Sequence, residues 1–90
     1  MSSREYAVAV LKPDGTAFAT THWTAAAAAL EQFSASLGLA GHSRERTAQH
    51  INAWQEALRH GKLSYEVLNP DLLGSVRIST THARGEVNVH

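Results

Sequence analysis

Residues 5–21 read EYAVAVLKPDGTAFATT, and this stretch decides the fold class. Tyr6, Val8 and Val10 alternate with Ala7, Ala9 and Leu11, a period of two that sends the two sets to opposite faces of a strand. Both sets are apolar, which suits a strand with cover. Lys12-Pro13-Asp14-Gly15 then supplies a turn. Pro13 pre-sets φ for the second turn position, Asp14 suits the third, and Gly15 accepts the positive φ that closes the loop. Thr16 to Thr21 returns as a second strand centred on Ala17, Phe18 and Ala19. The chain therefore begins as a β-hairpin.

The period changes after Trp23. Ala26, Leu30, Phe33 and Leu37 stand at i, i+4, i+7 and i+11, one stripe of a helix over residues 24–37. Thr24 is the expected cap, and Gly38-Leu39 the expected Schellman stop. A second helix is expected over 44–60, with Thr47, Ile51, Trp54 and Leu58 as its apolar stripe. Glu45, Gln49, Asn52, Glu56 and Arg59 form its solvated face. Ser43 caps its start and Gly61 ends it. Leu63, Tyr65 and Val67 alternate against Ser64 and Glu66, giving a strand over 62–68. Asn69-Pro70-Asp71 breaks that strand, and Val76, Ile78 and Thr80 alternate in the next. A last short strand is expected over 87–89. The sum is one α+β domain over residues 1–90 in the order ββααβββ, an antiparallel sheet covered by two helices.

The 90 residues carry eight basic and eight acidic side chains, a formal net charge of zero. That balance excludes a polybasic nucleic-acid binder of the histone kind. The absence of cysteine excludes disulfides, a thiol nucleophile and thiolate metal sites. No run of about 18 apolar residues and no signal-peptide pattern stands in the sequence, so a cytoplasmic location is expected. Fifteen alanines make up much of the 43% apolar content, against nineteen Leu, Val, Ile and Phe together. Alanine buries little area at roughly 25 cal/mol per Å², so the core is thin, and association is a common remedy.

Catalytic chemistry finds no footing. Glu45 and Glu56 are eleven residues apart on one helix, roughly 16 Å of rise, beyond the ~5 to 10 Å of glycosidase carboxylate pairs. No phosphate-binding loop and no nucleophile elbow occurs. Six histidines are an excess, yet His50 and His60 stand roughly 15 Å apart along a helix and cannot share an ion. Thr20-Thr21-His22 and Thr80-Thr81-His82 repeat one tripeptide; His22 and His82 would converge only on parallel neighbouring strands. No enzyme activity, cofactor or metal is expected.

Two surfaces remain. Between Thr16 and Gly41 the only charged side chain is Glu31. A helix so poor in charge is usually covered on more than one side. Trp23, Ala25, Ala28, Glu31, Gln32 and Ala35 are therefore the expected contacts with another protein or a second copy. Trp23 fits either a staple at the start of the helix or an interface anchor. The expected role is a non-enzymatic interaction module: a small regulator, subunit or inhibitor.

The alternative lies in the second helix. Phe33 to Leu39, followed by Thr47-Ala48-Gln49-His50-Ile51, resembles the two helices of a helix-turn-helix, although Ala40 to Glu45 makes a longer turn than usual. The resemblance implies a winged-helix-like DNA binder in which the later strands form a wing. Arg44, Arg46, Gln49, His50, Asn52, Arg59 and Lys62 would contact the duplex.

Overall fold

A computed structural model describes residues 4–81. It contains β1 (Tyr6–Leu11), β2 (Ala17–Trp23), α1 (Ala26–Leu39), α2 (Arg44–Arg59), β3 (Ser64–Leu68) and β4 (Ser75–Thr80). The strands form one antiparallel sheet in the order β2-β1-β4-β3. The α+β class and the two helices over an antiparallel sheet agree with the sequence reading. The order observed is ββααββ, and the strand expected over 87–89 lies outside the described residues.

The first turn forms as its residues require. The Gly15 N–H donates to the Lys12 carbonyl and the Lys12 N–H to the Thr16 carbonyl, both at 2.8 Å. Gly15 takes φ +90°. Asp14 Oδ1 accepts from the Thr16 hydroxyl at 2.6 Å and from its N–H at 2.9 Å. The Thr16 hydroxyl, then its amide, holds the Asp14 carboxyl below the usual carboxylate range. The β1–β2 register shifts between Val10 and Leu11, a bulge at the start of β2.

Both helices lie on one face of the sheet, where Tyr6, Val8, Val67, Val76 and Ile78 meet Ala29, Phe33, Leu37 and Trp54. Each fully buried large side chain there contributes about 1.5 to 3 kcal/mol by transfer from water. The opposite face carries Ser64, Glu66, Ser75, Arg77 and Ser79 beside Ala7, Ala9, Leu11 and Leu68, and the Ser75 hydroxyl donates to Glu66 Oε2 at 2.7 Å.

α1 departs from expectation at both ends. Ala25, extended at φ −99° and ψ 128°, is the N-cap and makes no side-chain capping bond, so Thr24 does not serve. The helix continues through Gly38, because Gly41 at φ +105° supplies the left-handed residue that ends it. The His42 N–H donates to the Leu37 carbonyl and the Gly41 N–H to the Gly38 carbonyl, each at 3.1 Å, the Schellman pair. The buried stripe is also rotated. Ala29 is fully buried, while Ala26, the first helical residue, is exposed. α2 follows expectation: Ser43 Oγ accepts from the Arg46 N–H at 3.1 Å, and Gly61 at φ +88° closes it.

Candidate interaction surface

The strand order makes β2 an edge. Within Ala17–Trp23 only Thr21 and Trp23 are half-buried, and the other five residues are exposed. Trp23 packs against the margin of the core, and its indole N–H donates to Thr21 Oγ1 at 2.9 Å. The tryptophan is thus held at the end of β2 with part of its ring accessible.

α1 lies beside this edge. At about 100° per residue, Ala28, Gln32, Ala35 and Leu39 fall in one row, separate from the core stripe of Ala29, Phe33, Ser36 and Leu37. Of this row, Gln32 and Leu39 face the β2 side. A groove of about 370 Å³ runs between strand and helix, lined by Val10, Phe18, Ala19, Gln32, Ser36 and Leu39 among others. The Gln32 amide donates to Ser36 Oγ at 3.2 Å, one turn along α1. Phe18 is 76% and Leu39 89% exposed at its margins.

Of the residues named from sequence, Ala28, Gln32 and Ala35 belong to this row, and Ala25 and Trp23 stand at the junction that leads into it. Glu31 is exposed on the crest of the helix, away from the groove. Phe18 and Leu39, which also line this groove, are not among the residues named from sequence. Phe18 reads from sequence as a strand centre, and only the strand order reveals that the strand is uncovered. Leu39 reads as a residue beyond the helix stop, and the longer helix brings it into the row.

Comparison with protein-family models, curated proteins and solved structures finds no match. The surfaces must therefore be weighed on their own chemistry.

On α2, Arg44, Arg46, Gln49, Asn52 and Arg59 are exposed, as is Lys62 just beyond it. Arg59 pairs with Glu56 on the preceding turn. His50 points the other way. Its Nδ1 hydrogen-bonds the Tyr65 hydroxyl at 2.9 Å, its ring stands 5.6 Å from that of His42, and it is half-buried. Burial, then the nearby His42 and Arg46, lower its pKa. The strands following α2 are members of the central sheet, so they form no separate wing.

β2 and β4 lie on either side of β1, so they are not neighbours, and His82 falls outside the described residues. Among the described residues no group of three or more His, Asp or Glu is placed to hold a metal, and no helix is long and apolar enough to cross a membrane.

Proposed function

We propose that this chain is a non-enzymatic protein–protein interaction module, a small cytoplasmic regulator, subunit or inhibitor. Its contact surface is the β2 edge together with the adjoining flank of α1. The observation behind this reading is the run of uncharged surface, exposed or half-buried, from Phe18 along β2 to Trp23 and along Ala28, Gln32, Ala35 and Leu39. An open strand edge offers main-chain hydrogen bonds, and an apolar groove beside it offers specificity. Aromatic side chains at such a site are the usual energetic anchors.

Affinity capture from the cells of origin tests it, comparing the natural chain with a Phe18→Ser, Ala28→Arg double variant. A partner held by the first and lost by the second is the expected result. The same proteins captured by both, or none by either, would overturn the proposal.

The exposed Arg44, Arg46, Gln49 and Asn52 on α2 support a second reading, a DNA-binding regulator using that helix. Its affinity for duplex DNA must then fall steeply with added salt, since released counterions drive phosphate contacts. Binding absent at low salt, or insensitive to salt, rejects it.

A further inference from the structure

Three bases stand at four-residue intervals where the helices meet: His42 in the α1–α2 connection, then Arg46 and His50 on α2. That spacing puts Arg46 and His50 on one side of the helix. The His42 and His50 rings meet edge to face with centroids 5.6 Å apart, and His50 Nδ1 shares a hydrogen bond of 2.9 Å with the Tyr65 hydroxyl on β3. The other ring nitrogen of each histidine, Nε2, is closed off from solvent and has no hydrogen-bond partner in the protein. Protonation makes both nitrogens of an imidazole donors. A second proton on His50 therefore sets a cationic N–H against no acceptor, beside His42 and the fixed charge of Arg46. Among the described residues no carboxylate offsets that charge. Glu31 of α1 and Glu45 and Glu56 of α2 are exposed, with Glu56 engaged by Arg59, and Glu66 and Arg77 lie on the other face of the sheet.

The hold on α2 is uneven. Trp54 in its second half is fully buried, whereas the first half is held by Thr47, the half-buried Ile51 and the His50–Tyr65 bond. We propose that His42 and His50 form an acid-released latch, in which a proton on His50 frees the first half of α2 and the connection before it from β3 while Trp54 and the sheet stay in place. Desolvation, then His42 and Arg46, lower the His50 pKa from its ordinary 6.5. The closed form thus takes up the proton less readily than the open one, in which the ring reaches water. Closure is complete above about pH 6.5 and is lost as pH falls from there through the lowered value. Across that window opening rises toward about tenfold for each pH unit, the limit for one proton. Local opening of this kind needs only a segment with few buried anchors. The latch is separate from the β2 surface, and its failure leaves the interaction-module reading untouched.

Amide hydrogen exchange of the natural chain between pH 7.5 and 5.0 tests the latch, with each rate corrected for its intrinsic pH dependence. Protection of the backbone N–H groups of Ala48, Gln49, His50 and Ile51 is expected to fall by about threefold or more over that range. Protection of Val8 and Ile78, which face each other across the central β1–β4 ladder, is expected to fall by a smaller factor. In His50→Asn the first half of α2 should show no acid-dependent loss. Arg46→Gln, at an exposed position that leaves the fold intact, removes one repelling charge and should keep more α2 protection at pH 5.0 than the natural chain. The His50 ring resonances should titrate with a midpoint below 6.5. Protection of residues 48–51 that is constant with pH, or that falls by the same factor as Val8 and Ile78, would overturn the latch. So would an equal acid loss in Arg46→Gln or in His50→Asn, or a His50 midpoint at or above 6.5.

Discussion

Nδ1 of His50 lies 2.9 Å from the Tyr65 hydroxyl, a hydrogen bond that ties α2 to β3. Burial and the nearby positive groups lower the His50 pKa below the ordinary imidazole value of about 6.5. Stability from this group is thus fully present above about pH 6.5. It is lost as pH falls from there through the folded value, because the unfolded chain takes up the proton first. Urea denaturation at pH 7.5 and 5.5 should show the natural chain losing more stability than His50→Asn, whose amide can replace the Nδ1 contact without titrating. Equal losses would refute the assignment.

Leu72 takes φ +63° in the β3–β4 connection and is 70% exposed. A side chain larger than glycine pays roughly 1 to 2 kcal/mol in the left-handed region, and asparagine tolerates it better. Leu72→Asn should therefore stabilise the fold by about 0.5 to 1 kcal/mol, a rise of roughly 3 to 6 °C in Tm for a domain of this size.

Two residues further on the sign reverses. Gly74 takes φ +127°, and a Cβ there would stand 2.3 Å from the Leu11 carbonyl oxygen in the neighbouring strand. Neither backbone can yield without breaking the β1–β4 ladder. Gly74→Ala should cost at least about 2 kcal/mol in chemical denaturation.

The part of the fold legible in sequence is the part governed by local chemistry. Pro13, Asp14 and Gly15 specify one turn whatever surrounds them, and Ser43 with Gly61 brackets α2 unambiguously. The ends of α1 were misjudged because the choice is degenerate: Thr24 and Ala25 can both precede the helix, and Gly38 and Gly41 can both stop it. The alanine run from Ala25 to Ala29 carries no apolar contrast, so the stripe could rotate from Ala26 to Ala29. Strand order was not readable at all, since pairing between Tyr6 and Thr80 is decided by the packed whole. That order exposes Phe18, so the strand side of the groove could not be named from sequence, whereas Gln32 on the helix side could.

Phe33 is fully buried and meets Tyr65 edge-on with ring centroids 6.5 Å apart. Phe33→Ala should cost about 3 to 5 kcal/mol. A domain this small holds only about 5 to 10 kcal/mol in all. Thermal unfolding should show the variant close to the edge of folding at 37 °C.

Phe18 is the contrasting case. With 76% of its surface open to solvent, Phe18→Ser should shift the unfolding free energy of the isolated protomer by less than about 0.5 kcal/mol. Any larger effect on association than on urea midpoint at low protein concentration marks the ring as an interface group.

The ladder from Tyr6↔Thr80 to Leu11↔Ser75 sews together segments from opposite ends of the described chain. Each outer hairpin can close within about 1 to 10 μs on its own, but this inner stitch must wait for residues about 70 positions apart to meet. A chain severed at Gly41–His42 would leave each half with an intact hairpin and one helix. The two pieces would have to find each other across β1 and β4, which makes this seam the place where the molecule commits to its final form.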